Sequence, residues 1–303
     1  MSKLKNNLKI NIMITKKILI ALTLLLAVNV GYSQEDETTT SNIQSYTPSK
    51  LLKKGDWDVK WFNNLYTETK FANANGTSIS KARENYFTTT LDVFTGVSEN
   101  SRLNIGLLLE YRSNTIGGRK ALSVFSLEDS QTARKGLSSF APAIKFQPFK
   151  NISNFSVQTA FHIPIISEES DSNGVFLDQT AYTFQNRFFY DYTFPSNKWQ
   201  LFAELNTEYN FGDDKSFANK TFLFAPGVFM SYFPSDKSTI LGFLQHSQRV
   251  GDFQQDYTAL GFGGKYQLTK KLNLEVLYSK FVRGESTGLG QSFNLGLRYL
   301  LTK

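Results

Sequence analysis

The feature that most constrains this chain is the order of its connections. About twelve segments with an apolar/polar period of two run from Trp57 to Leu301, and the stretches joining them are long, short, long, short to the end. The short ones are Ser98–Ser101, Lys150–Ser153, Pro195–Lys198, Pro234–Lys237 and Thr269–Lys271; the long ones are Ala72–Glu84, Ser113–Lys135, Ile166–Gln179, Gly212–Lys220, Val250–Asp256 and Arg283–Gly290. A period of two places alternate side chains on opposite faces of a strand. A soluble sandwich has no reason to sort its loops by parity. A barrel crossing a membrane does, because its two rims face different compartments, one with tight turns and one with long loops. The expected fold is all-β: a transmembrane antiparallel up-and-down β-barrel of about 12 strands, over residues 55–303.

The strands support this. Leu103, Ile105, Leu107, Leu109 and Tyr111 alternate with Asn104, Glu110 and Arg112, and Trp199, Leu201, Ala203 and Leu205 alternate with Gln200 and Glu204. Each run is near the ~9–11 residues a tilted strand needs to cross hydrocarbon. Aromatic residues bracket the aliphatic middles (Trp199 and Tyr209, Phe293 and Tyr299), as in the interfacial girdles of membrane barrels. Ile240–Gln248 is ambiguous in its facing. Pro142 and Pro226 sit at matching places in Phe140-Ala-Pro-Ala-Ile and Phe224-Ala-Pro-Gly-Val. Proline cannot donate to a ladder, so both predict bulges or local breaks, and Pro164 raises the same expectation.

Residues 1–33 read as a secretory signal peptide: Lys16 and Lys17 precede the apolar run Ile18–Val28, and Gly31 and Ser33 offer small residues before Gln34, with Met13 a candidate true start. That segment holds five lysines and no acid, so the net charge of +7 falls to 28 − 26 = +2 beyond it. The basic balance therefore belongs to targeting, and a nucleic-acid partner loses its support. Cysteine is absent, which excludes a lipoprotein anchor and thiolate metal sites. Gln34–Lys54, acidic and Thr/Ser-rich, reads as a disordered periplasmic lead-in.

Asn294-Leu-Gly-Leu-Arg-Tyr-Leu-Leu301 resembles the β-signal of bacterial outer-membrane β-barrel proteins, carried by Asn294, Gly296, Tyr299 and Leu301. The resemblance implies outer-membrane localisation, insertion by the barrel assembly machinery, outer-membrane lipids as surroundings, and both termini in the periplasm.

Lys60, Glu110, Arg112, Lys145, His162, Arg187, Asp191, Glu204, Glu208, Lys265, Glu275 and Arg298 are expected to line the lumen. Their mixed signs predict no ion preference. The apolar stretch Val124-Phe125-Ser-Leu127 in the longest loop is the candidate for an inward-folding constriction. Glu168, Glu169 and Asp171 offer a loose calcium or lipopolysaccharide contact. Gly261-Phe-Gly-Gly264 suggests close backbone approach within a strand. No phosphate loop or metal set is legible, so no cofactor is expected. His162, His246 and Ser247 invite comparison with rim hydrolases, but adjacent strand residues point to opposite faces, so His246 and Ser247 cannot pair. The favoured function is a small channel or transporter for small polar or amphipathic solutes. The alternative is a closed barrel binding through its external loops, with an enzyme the least favoured class.

Overall fold

A computed structural model describes residues 48–302. The expected signal peptide, residues 1–33, and residues 34–47 of the expected lead-in lie outside the described residues. Twelve long strands form the wall: β1 (Trp57–Ala72), β2 (Ser78–Gly96), β3 (Leu103–Thr115), β4 (Ala133–Phe146), β5 (Phe155–Pro164), β6 (Tyr182–Thr193), β7 (Trp199–Phe211), β8 (Thr221–Ser235), β9 (Ser238–Gly251), β10 (Gln255–Gln267), β11 (Leu272–Glu285) and β13 (Gln291–Leu301). A two-residue strand, β12 (Thr287–Gly288), adds to the end of β1. Every neighbouring pair is antiparallel, and β1 closes the ring by pairing with both β2 and β13. Closure satisfies the backbone and leaves no edge, which hydrocarbon demands. The expected all-β barrel of about twelve strands is present.

The apolar surface is inverted relative to a water-soluble protein. Leu103, Ile105, Tyr190, Trp199, Leu260 and Phe293 all face outward and exposed, with Ile240 at 60% and Phe262 at 63%. A contiguous exposed band of this size is untenable in water, whereas lipid tails are its natural solvent. Inside, buried apolar clusters are small: Phe94, Leu108, Ala141, Ala143 and Ala160 form one on the inner wall.

Three of the long connections expected from sequence are tight. β2 begins at Ser78, so Ala72–Glu84 reduces to a turn at 73–77, Val250–Asp256 reduces to 252–254, and Arg283–Gly290 reduces to 286–290, which includes β12. In the first turn the Asn73 side-chain oxygen accepts from the Asn75 and Thr77 amides at 3.0 and 2.9 Å, and Gly76 supplies a φ of +73°. The strands simply continue beyond the membrane band there, pairing in the open.

The proline expectation holds in a specific form. Between β4 and β5 the pairing skips from Phe140–Ile163 to Ala143–Ala160, and between β8 and β9 from Phe224–Gln248 to Gly227–Gln245. Pro142 and Pro226 stand in these gaps, and register is the same on both sides. Each proline therefore removes ladder bonds locally without inserting a residue. Pro164 ends β5 instead, paired with Ser139.

Candidate functional site

A cavity of about 1020 Å³ runs along the lumen, lined from Pro48 and Lys50 at the end holding the strand termini to Lys81 and Phe176 at the loop end. Both sides mix charge and rings. Across β1, β10, β11 and β13, Arg298 grips Asp58 through both Nε and Nη2 at 2.8–3.1 Å and Lys265 meets Glu275 at 2.7 Å, beside Phe62, Tyr66 and Phe281. Removing one partner from such a pair strands the other and costs about 3–5 kcal/mol when buried. Across β6–β9 a row of rings runs beside the Arg187–Glu204 pair. Phe189, Phe202, Phe229 and Phe243 form a continuous belt, with centroids 6.1, 5.5 and 5.1 Å apart in succession. Phe243 lies across Gly261 on β10, where an added Cβ would come within 2.1 Å of the ring. The close approach expected of the glycine-rich stretch is this ring on bare backbone.

The loop-end mouth is roofed by the connection 165–181. Asn114, at the top of β3, donates to the Phe176 and Leu177 carbonyls at 2.8 and 3.1 Å, and Arg112 contacts Asp178 at 3.2 Å and Glu110 at 2.6 Å. Glu169 ties this roof to 212–220, accepting from the Ser216 hydroxyl at 2.5 Å and the Phe217 amide at 3.3 Å. Phe176, Phe217 and Phe253 then stack edge to face above the lumen. The half-buried Asp213 accepts from the Thr180 hydroxyl at 2.6 Å, and that bond, with the Lys215 amide, holds its carboxyl below the usual range.

The connection 116–132, which carries Val124-Phe125-Ser-Leu127, does not constrict the lumen, contrary to the sequence expectation. Its 3-10 helix (Ala121–Ser126) lies against the outside of the wall. Val124 is buried there with Leu65 and Phe87, which point outward, and Phe125 meets Phe87 at 4.9 Å. The reason is polar as well as apolar. Outward-facing Thr67, Asn85 and Thr115 form a buried chain at 2.7 and 2.9 Å that needs covering, and Asn85 also donates to the carbonyls of Arg119 and Lys120. Ser113 donates to the Val124 carbonyl at 2.6 Å.

At the other mouth, residues 48–54 run along the inner wall as a strap. Lys145 donates to the Pro48 and Lys50 carbonyls, the Leu52 amide donates to Asn104 at 3.2 Å, and Leu52 packs on the Phe94–Ala160 cluster. Gly96 permits this: a Cβ there would stand 2.1 Å from the Lys53 carbonyl oxygen.

The family model described as "Putative MetA-pathway of phenol degradation" matches residues 69–299. The chain belongs to that family. Among solved structures, an outer-membrane channel from Pseudomonas putida F1 (COG4313) is similar, with a TM-score of 0.65 and 13% identity over 88% of this chain and 99% of that one. The β-domain of the Bordetella autotransporter BrkA gives a TM-score of 0.53 and 14% identity over 80% of this chain and 98% of that one. At such identities the likeness is one of fold: an outer-membrane barrel. No curated protein matches the chain.

In this family member, Lys60, Arg112, Lys145, Arg187, Glu204, Lys265, Glu275 and Arg298 border the cavity. Glu110 pairs with Arg112; Glu208 accepts from Gln185 and Asn206, both at 2.9 Å; His162 contacts Gln185 at 3.4 Å; and Asp191 is buried on β6. His246 faces outward against Thr258 at 3.0 Å while Ser247 is buried, so the two sit on opposite faces as register requires. The loop acids shape turns: Asp171 accepts from the Asn173 and Val175 amides, both at 2.9 Å. Within β13, Asn294 and Gly296 border the cavity, Asn294 accepting from Asn64, while Leu301 faces out. The phenylalanine belt and the roof are what sequence reasoning missed.

Proposed function

We propose that this barrel is a diffusion channel for small polar or amphipathic solutes across the outer membrane. The observation that carries the reading is the length-spanning cavity lined by both charged and aromatic side chains, which offers both parts of an amphipathic molecule a favourable surface. The family's description names a phenol-degradation pathway, and the Pseudomonas relative is itself described as a channel, which agrees with it. In this reading the twelve candidate residues named above set passage. The strap and both termini face the periplasm, the roof faces outside, and β13 carries the signal read by the barrel assembly machinery among outer-membrane lipids. Residues 1–33 direct export, and 34–54 lead into the wall.

The rival reading, a closed barrel acting through its loops, draws on the roof and the strap, which cover the two mouths. Conductance of the refolded chain in a planar bilayer separates them. Discrete, reproducible steps are expected. Silence from a chain that is β-rich by circular dichroism would overturn the channel and leave the loops as the working surface.

A further inference from the structure

We infer that the lumen contains a binding site for an aryl carboxylate, a planar ring carrying one anionic group. The inference rests on the channel reading for its use in the cell, although the site itself is read by binding. Its polar half is a row across three strands. Lys145 pairs in register with Gln158, and Gln158 with Arg187. Arg187 is engaged by Glu204, with contacts at 2.6 and 2.8 Å. Lys145 differs: among the described residues no carboxylate lies within 4.0 Å of it, and its hydrogen bonds go to the neutral carbonyls of Pro48 and Lys50. Gln158 borders the cavity at 6% exposure, and its side-chain nitrogen is buried without a hydrogen-bond partner. An orphaned buried donor beside a buried lysine that touches only neutral carbonyls is a costly arrangement that one carboxylate would satisfy at both groups.

The apolar half begins at the same place. Phe189 stands under both cations, 5.2 Å from Lys145 and 5.1 Å from Arg187, and so is already covered. The next rings, Phe202 and Phe229, border the cavity with their centroids 5.5 Å apart. A flat ring held to the row by its carboxylate has this pair as its stacking surface. The wider field favours an anion. The cavity lining carries eight Lys/Arg and five Asp/Glu side chains, a net of 8 − 5 = +3. A neutral aromatic would leave Lys145 and Gln158 as they are, and a short aliphatic acid would leave the rings unused.

The test is equilibrium dialysis of radiolabelled benzoate against the chain folded in detergent, with acetate and benzyl alcohol as competitors. Saturable millimolar binding is expected, with both competitors roughly tenfold weaker. Gln158→Leu, which leaves the strap contacts alone, and Lys145→Met are each expected to weaken binding roughly tenfold, and Phe202→Leu a few-fold. Heat-dependent gel mobility confirms that each variant is folded. Equal competition by acetate or benzyl alcohol, non-saturable uptake, or unchanged binding in both Gln158→Leu and Phe202→Leu would overturn the site. Conductance steps without benzoate binding would remove the site and keep the channel; saturable binding to a silent barrel would do the opposite.

Discussion

Two connections at the loop end, 116–132 and 165–181, have similar length and opposite fates. The first carries the more apolar segment, yet lies on the outside of the wall; the second carries Glu168, Glu169 and Asp171, yet folds over the mouth. The difference lies in what each finds to satisfy. Outside β1–β3, Leu65 and Phe87 offer apolar cover, and the Thr67–Asn85–Thr115 chain needs shielding from lipid and water. At the mouth, Arg112 and Asn114 offer donors to carbonyls and a carboxylate. A loop goes where its polar groups are paired, and apolar content alone does not choose the side.

The contrast can be broken by experiment. The largest effect is expected from releasing the roof: Asn114→Ala combined with Glu169→Ala should raise single-channel conductance roughly twofold or more, and an unchanged step size would deny 165–181 its gating place. Val124→Asp buries an unpaired carboxylate under the outer loop and should cost about 2–4 kcal/mol in urea unfolding while leaving conductance alone. Asn85→Ala, which removes one bond from each of two hydroxyls and two carbonyls, should cost about 1–3 kcal/mol, again without a change in current. If either variant altered conductance, the two loops would not be independent. The smallest effect is on acidity. Because Asp213 is held below its ordinary value, its tie to Thr180 is fully present at neutral pH and is lost as pH falls through the lowered value. Loss of this tie should therefore add a modest rise in current below about pH 4, and Thr180→Val should remove that rise.

Much of the barrel was legible because a membrane imposes period two on one face of every strand. What escaped notice did so for physical reasons. Between Ser78 and Glu84 the strand has water on both sides, so no apolar face marks it, and the tight hairpin read as a loop. The facing of β9 was ambiguous because Ile240, Leu241, Phe243 and Leu244 are apolar on both faces, lipid on one side and the row of rings on the other. The same cause hid the belt: Phe189 follows Phe188, and Phe229 follows Val228. Failure of alternation on four successive strands is the signal that would have exposed it. The inward charges were readable, since they contrast sharply with outward leucines. Which carboxylate meets which cation depends on barrel stagger, which one sequence does not carry.

The prolines leave the ring with two seams. A closed ladder resists distortion because every strand is laced to both neighbours, yet at Pro142 and Pro226 two successive rungs are missing on one side. These seams lie four strands apart and flank β5–β8, the stretch that carries Phe189, Phe202 and Phe229. That panel is therefore hinged along both margins at mid-height. An oval distortion of the bore at that height would need no strand to slip in register, only a bend along lines where the lacing is already open.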